Sequence, residues 1–426
     1  MIKSLCVWWD GAVVGALQID EHGDLAFRYD AAWLADPAKR AISISLPKRA
    51  EAFNRRETRP FFAGLLPDEG QREAVARALG VSKGNDFRLL EQLGGDVAGA
   101  LTLWPDGEPP PAASGLAEAE PLDDPRLVEI LDTLPNRPFL AGSEEGLRLS
   151  LAGAQEKLPV VLVNGRIALP QPGQPSTHIL KPPISRLSGT TENEAMAMRL
   201  ATRVRLWAAP VEPRRVEDRS YLLVERYDRV VDADGAVRRL HQEDFCQALG
   251  IAPEKKYASE GGPNFPLCFD LVRRASSQPA RAVIDLVEAA IFNVILGNAD
   301  AHGKNFSLLY GPRSGIELAR LYDLMCTAAY PDVHAKFAMK IGKRATLDEF
   351  TASTWEDFAR EIGVGAPFVR RRAGVLAERT LDALPGTADE IASLGFEGSE
   401  LRRIQEVVQH RAQVVLDLSA TAKAGG

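Results

Sequence analysis

Asp300 and Asn305 stand five positions apart in Asn298-Ala299-Asp300-Ala301-His302-Gly303-Lys304-Asn305, and Leu321-Tyr322-Asp323-Leu324 follows a short hairpin later. A carboxylate, an amide oxygen and a second carboxylate in this order suit phosphoryl transfer. In such a centre the first Asp accepts the proton of an attacking hydroxyl, while the Asn and the second Asp offer hard oxygen ligands to Mg²⁺. Four intervening residues in a tight loop let the first two groups converge on one point. The same pair also suits a loop that ends a helix, with Asp300 and Asn305 merely capping backbone groups. The motif therefore needs company.

A phosphoryl-transfer site also requires a loop over the nucleotide phosphates and a lysine fixed on a strand. Both have candidates upstream. After Ser150, Leu151-Ala152-Gly153-Ala154-Gln155-Glu156-Lys157 is a small-residue turn whose backbone N–H groups could approach anionic oxygens, although it lacks the Walker A order. Thr177-His178-Ile179-Leu180-Lys181 reads as a strand ending on a lysine just before Pro182-Pro183. Lys181 equally suits a solvated strand end. The next helix carries Glu192 and Glu194 on different faces, and Glu194 is the natural ion-pair partner if it points inward. The strand at 222–227 would join two lobes and offer backbone groups to a nucleobase, or simply add to a sheet.

Length and composition bound these readings. At 426 residues, 45% hydrophobic and 26% charged, the chain is a globular protein of two or three compact units. A formal net charge of −7 gives it no general attraction for nucleic acid, so DNA contact would need a basic partner or a local patch. Arg370-Arg371-Arg372 is one such patch, or else a solvated helix face. Cys6, Cys246, Cys268 and Cys326 lack C-x-x-C spacing, and the histidines never fall at i, i+4, so neither a zinc site nor a disulfide framework is indicated. The start reaches Trp8-Trp9 without an apolar signal region and no run approaches 18 apolar residues; a cytoplasmic protein without membrane association is expected.

The elements that must position the candidates follow from periodicity and turn chemistry. Residues 5–9 and 13–17 flank an Asp10-Gly11 hairpin turn, and 42–46 alternate as a half-buried strand. A helical pattern covers 68–93. Gly94-Gly95-Asp96 then reads as a tight turn back to the sheet, since no G-x-G-x-x-G order follows. Residues 105–125, rich in Pro, Ala and acid, read as an extended linker. Asn164-Gly165 signals a second hairpin, 192–205 a helix, 221–227 a strand and Asp234-Gly235 a turn. Beyond about 240 helices dominate. The nearly continuous apolar run at 284–296 reads as a buried helix that delivers the chain into the Asn298 loop, and a helix at 399–418 closes the pattern.

Taken in order, Ser150 to Lys157, Thr177 to Lys181, Glu192-Asn193-Glu194, Val224-Glu225-Arg226-Tyr227-Asp228-Arg229, Asn298 to Phe306 and Leu321-Tyr322-Asp323 resemble the HipA family. These are bacterial serine/threonine kinases, the toxins of type II toxin–antitoxin modules. Gly64-Leu65-Leu66-Pro67 and Gly94-Gly95-Asp96 resemble the family's amino-terminal subdomain, so the likeness spans nearly the whole chain. It implies an α/β (α+β) two-lobed, protein-kinase-like fold, with a β-rich amino-terminal lobe in two subdomains and a mainly helical carboxy-terminal lobe. The corresponding boundaries are 1–104, a connecting segment 105–143, an ATP-binding unit 144–228, a catalytic unit 229–420 and a tail 421–426.

The resemblance further implies ATP and Mg²⁺ as cofactors, Asp300 as catalytic base, and Asn305 and Asp323 as metal ligands. Ala152, Gly153, Ala154, Gln155, Glu156 and Lys157 would cover the phosphates and Lys181 would hold them, with His302 and Lys304 beside them. Glu225 and Tyr227 would meet adenine through their backbones; Arg226, Gly303 and Tyr322 complete the nucleotide-contacting set. Gly303 departs from the family pattern as a freer loop residue. Ser150 corresponds to a self-phosphorylated serine, where Glu144 and Glu145 would disfavour an added negative charge. Family members phosphorylate an aminoacyl-tRNA synthetase, the glutamyl enzyme best known, and are neutralised by a small helix-turn-helix antitoxin that binds operator DNA. Two rival readings are a small-molecule kinase and a non-catalytic co-repressor.

Overall fold

The computed structural model describes residues 3–107, 109–112, 115–142, 147–311, 315–396 and 398–420. Glu144, Glu145 and the tail 421–426, assigned roles above, lie outside the described residues. Strands β1 (Lys3–Trp9), β2 (Ala12–Ile19), β3 (Leu25–Tyr29) and β4 (Leu101–Pro105) make an antiparallel sheet ordered β3-β2-β1-β4. Asp10 at φ 48° and Gly11 at φ 73° form its first turn, the left-handed pair that matches strand twist in a two-residue hairpin. Helices α1 (Ala31–Ala35), α2 (Arg55–Gly64), α3 (Glu69–Ala78) and α4 (Asp86–Leu93) accompany it. The helical pattern at 68–93 is thus two helices, because Gly80 at φ 66° takes the left-handed position that ends α3.

The strand expected at 42–46 does not form. Only an isolated bridge joins Ser43 to Leu46. Its polar groups go instead to the second half of the chain: Ile44 N–H donates to Glu243 Oε1 at 3.0 Å and Ser45 Oγ to the Gln247 carbonyl at 2.7 Å. The Pro-rich segment is likewise no free tether. Pro121 bridges Ala168, and Ala119 is buried against Val161 and Ala168, before α5 (Asp124–Thr133) begins.

A second sheet is ordered β6-β5-β7-β9-β8, from β5 (Leu158–Val163), β6 (Arg166–Ala168), β7 (His178–Lys181), β8 (Val211–Val216) and β9 (Arg219–Glu225), with α6 (Thr190–Arg203) between β7 and β8 in the chain. Because side chains alternate across a strand, β9 serves two cores at once. Tyr221 and Leu223 join the apolar cluster shared with the first sheet, whereas Leu222 and Val224 join the one that fills the helical half. The remainder comprises β10 (Arg229–Val231), β11 (Val237–Arg239), β12 (His241–Asp244), α7 (Phe245–Leu249), α8 (Phe265–Ala275), α9 (Pro279–Leu296), β13 (Ser307–Tyr310), β14 (Ile316–Leu318), α10 (Thr354–Ile362), α11 (Ala366–Ser393) and α12 (Ser399–Ala420). The result is a mixed α/β fold, β-rich first and mainly helical after, as the sequence implies. Every residue of α9 from Leu286 to Leu296 is buried, which explains its nearly continuous apolar run.

No helix among the described residues is long and apolar enough to cross a membrane. All four cysteines are free, and no group of three His, Cys, Asp or Glu among the described residues is placed to hold a metal. Arg370 and Arg372 are engaged by Glu356 and Glu288, so two of the three clustered arginines have counter-charges within the helical half.

The glycine-rich turn after α4 carries a wholly buried ion cluster. Asp96 accepts from Arg229 at 2.8 Å, Arg226 at 3.2 Å and Ser176 Oγ at 2.6 Å, and Asp228 takes the other arginine contacts at 2.8 and 3.0 Å. Burial opposes ionisation of Asp96, but Arg229 and Arg226 outweigh it and hold the carboxyl well below its usual range. Breaking such a pair strands uncompensated charge. Asp96→Ala should therefore destabilise the protein by about 3–5 kcal/mol in denaturant unfolding; a loss under ~1 kcal/mol would contradict this reading.

Candidate functional site

Helix α9 stops at Gly297, whose φ of 75° lets its N–H return to the Asn293 and Val294 carbonyls. The following loop is then pinned from several sides. Asn298 Nδ2 donates to Asn293 Oδ1 at 2.8 Å, Asp300 N–H to Asn298 Oδ1 at 3.1 Å, and Ala299 N–H to Thr327 Oγ1 at 2.7 Å. Asn305 Nδ2 closes the loop on the Asp300 carbonyl at 2.9 Å, leaving its amide oxygen for other work. Tyr322 Oη donates to the Lys304 carbonyl at 2.7 Å, and so braces the loop from the segment that carries Asp323.

Asp323 adopts φ 58°, a left-handed conformation uncommon for a residue with a side chain. Its Oδ1 lies 2.7 Å from Lys181 Nζ, which also meets Glu194 Oε1 at 2.6 Å. Glu194, buried on α6, is thus the partner that the sequence leaves undecided between 192 and 194. Burial works against the Lys181 charge, yet Asp323 and Glu194 outweigh it and push the ammonium above its ordinary value. Burial likewise resists ionisation of Asp323, and Lys181 and Lys157 overcome it, holding this carboxyl well below the usual range.

These groups face a cleft of about 1440 Å³. Its walls include Ala152, Gly153, Ala154, Gln155, Glu156, Lys157, Lys181, Glu225, Arg226, Tyr227, Asp300, His302, Lys304, Asn305, Tyr322 and Asp323. Gly153 turns at φ 112°, and Lys157 Nζ folds back to the Ala152 carbonyl at 2.8 Å. Ile179, Ala209 and Val224 add apolar wall to the cleft, and the Tyr227 ring packs 5.6 Å from that of Tyr322.

Two expected residues stand elsewhere or act differently. Gly303 is absent from the cleft wall: a Cβ there would lie 2.4 Å from Pro263, so glycine serves close packing rather than a freer loop. The Arg226 side chain turns away into the Asp96 and Asp228 cluster. Ser150 sits wholly buried at the root of the loop, its Oγ donating to the Leu65 carbonyl at 2.7 Å.

Several groups in the cleft escape a sequence reading. Tyr257 Oη donates to Asp300 Oδ1 at 2.7 Å, and its ring packs edge-on against His302. Asp68 pairs with Lys304 at 2.5 Å and Lys256 at 2.9 Å. The phrase Gly64-Leu65-Leu66-Pro67 immediately before Asp68 is the one signal that could have pointed there. Burial keeps His302 neutral, with a pKa of about 4, and its Nδ1 is buried without a partner.

That orphaned nitrogen bears on which cofactors fit. A phosphate oxygen or its water would satisfy His302 Nδ1, two buried ammoniums suit a polyphosphate, and Asn305 with Asp323 offers the sparse oxygen set Mg²⁺ uses alongside substrate phosphates. ATP with Mg²⁺ fits these residues.

Comparison with known proteins agrees along the whole chain. Residues 149–387 match the HipA-like C-terminal domain and residues 5–104 the HipA N-terminal domain. The chain belongs to the HipA family. It is 31% identical to the serine/threonine-protein kinase toxin HipA of Shewanella oneidensis over 91% of this chain and 92% of that one. Y4mE of Sinorhizobium fredii, which carries a provisional kinase name, is 56% identical over 97% of this chain and 99% of its own. The Shewanella oneidensis HipA in complex with HipB and its operator DNA superposes with a TM-score of 0.81 at 26% identity, covering 98% of this chain and 97% of that one.

Within this HipA-family cleft, burial brings the Lys157 ammonium down to about 8 from the ordinary 10.5. Between those values the unfolded chain keeps a proton that the folded one has released, so stability should rise with pH across that window. Measured against Lys157→Met, wild-type unfolding free energy should gain between about pH 8 and 10.5. A pH-independent difference would contradict the buried, destabilised ammonium.

Proposed function

We propose that this protein is an ATP- and Mg²⁺-dependent serine/threonine-protein kinase acting as the toxin of a toxin–antitoxin module. The observation that carries the reading is the Lys181 ammonium shared by Glu194 and Asp323 across a cleft that also holds Asp300. A strand lysine fixed by a helix carboxylate is how kinases hold nucleotide phosphates. Lys181 and Lys157 bind those phosphates, the loop 152–157 covers them, and His302 donates or accepts beside them. Asn305 and Asp323 would hold the metal, which neutralises phosphate charge. Asp300 Oδ1, released by Tyr257, takes the proton of the attacking hydroxyl.

The substrate is a protein hydroxyl, with an aminoacyl-tRNA synthetase of the glutamyl type the first candidate. A small helix-turn-helix antitoxin neutralises the toxin and supplies the contact with operator DNA, a reading supported by the likeness to the HipA, HipB and operator DNA complex and by this chain's net charge of −7. Incubation of the purified protein with synthetases and ATP, followed by phosphosite mapping, tests class and substrate together. Expression alone should slow growth.

Two substitutions separate the roles. Asp300→Asn keeps shape and should retain ATP and Mg²⁺ binding while turnover drops ~10²–10⁴-fold, the usual worth of a general base; Asp323→Asn should instead weaken metal binding. Near-normal turnover of Asp300→Asn would remove the assignment.

Ser150 is the self-phosphorylation site in this reading. A phosphate adds about −1.5 to −2 charges, which the buried position beside the Leu65 carbonyl cannot hold, so the loop leaves its place over the cleft. Protein fully phosphorylated at Ser150, verified by mass spectrometry, should bind ATP more weakly. Equal affinity before and after modification would exclude the switch.

A further inference from the structure

Asp68 stands at the N-cap of α3, where an aspartate ordinarily accepts from the first free N–H groups of its helix. It makes no such bond. Its carboxylate is instead buried between two ammoniums, with Oδ1 2.5 Å from Lys304 and Oδ2 2.9 Å from Lys256. The residue thus leaves its own helix end without its customary cap and spends both oxygens on the other half of the molecule. Its backbone N–H reaches in a third direction, donating to the Gly153 carbonyl at 3.2 Å within the loop that covers the cleft.

Lys304 lies in the catalytic loop between Asp300 and Asn305, and its side chain is only 3% exposed. A buried ammonium takes up whatever position its counter-charges dictate. Asp68 is the carboxylate in direct contact with it, and Asp244, at the end of β12, also favours its charge. Without the Asp68 charge, Lys304 has Asp244 to turn to, and the loop carrying the base and the metal-binding amide is drawn with it.

We propose that Asp68, carried by the amino-terminal part of the chain, is a positioning residue of the phosphoryl-transfer centre: its carboxylate holds Lys304 while its amide holds the loop at Gly153. The amino-terminal part is thereby a working component of the site. The proposal rests on the kinase reading above and deepens it, since a catalytic centre built only from residues 149–387 would lack the group that orders two of its loops.

The test compares wild type, Asp68→Asn, Lys304→Met and the double variant for turnover with a protein substrate and for ATP affinity by calorimetry. Asparagine is as good an N-cap as aspartate, so α3 is retained. Asp68→Asn should lower kcat about tenfold or more, the scale of a misplaced catalytic loop, while ATP binding tightens by about threefold or more as a negative charge leaves the cleft wall. In the double variant kcat should equal that of Lys304→Met alone, because Asp68 acts through Lys304. Wild-type turnover in Asp68→Asn, or a further tenfold loss in the double variant, would overturn the proposal. Should Asp68→Asn fail to fold, the double variant, which removes one of the stranded ammoniums, carries the comparison. If wild type transfers no phosphate, the kinase reading and this proposal fail together, whereas an active wild type matched in turnover by Asp68→Asn overturns this proposal alone.

Discussion

One buried ammonium sets the terms for everything around it. Lys181 ends β7 inside the protein, where an unpaired charge is prohibitively unfavourable, and it is made tolerable by carboxylates from two directions, Glu194 on α6 and Asp323 after β14. That pairing ties the five-stranded sheet to the segment after β14. Asp323 meets Lys181 from a left-handed backbone at φ 58°, a conformation uncommon for a residue with a side chain. Removing either carboxylate alone would unbalance the site. A cleft held open by opposite charges is preorganised for a ligand that brings its own anions and a cation to exchange for them.

The rest of the architecture delivers elements to that point. β9 packs one face on each core, so the sheet bearing Lys181 cannot shift without disturbing both. The Asp96 cluster clamps the segment after β9, where Arg226, Asp228 and Arg229 follow Glu225 in the chain. From the amino-terminal part, the Leu65 carbonyl and the Asp68 amide grip the segment 150–153. Three regions far apart in sequence therefore share one cleft.

How far the sequence discloses this depends on how local each cause is. The Asp10-Gly11 and Asn164-Gly165 turns are legible because left-handed φ values are a property of those residues themselves. The helix α9 and the loop it feeds are legible because an apolar run ending at glycine needs no tertiary partner to be read. The fold class and the Asp300, Asn305 and Asp323 grouping follow from several short phrases in one order. The strand expected at 42–46 fails because its alternation is real but its hydrogen bonds go to Glu243 and Gln247, some 200 residues away. Glu192 and Glu194 cannot be separated until the helix has a neighbour. Tyr257 is an ordinary residue in the sequence, and the phrases around Asp68 and Asp96 mark those positions without disclosing their roles, which burial and distant partners give them.

The central claim is that Lys181 and Lys157 face the phosphates of a nucleotide. An acyl-phosphate analogue of ATP, which transfers its acyl group to a lysine beside the phosphates, addresses it in one peptide map. Labelling should fall on Lys157 or Lys181 and disappear when excess ATP and Mg²⁺ are added. Labelling confined to exposed lysines outside the cleft, such as Lys3 and Lys83, and indifferent to ATP, would contradict the account.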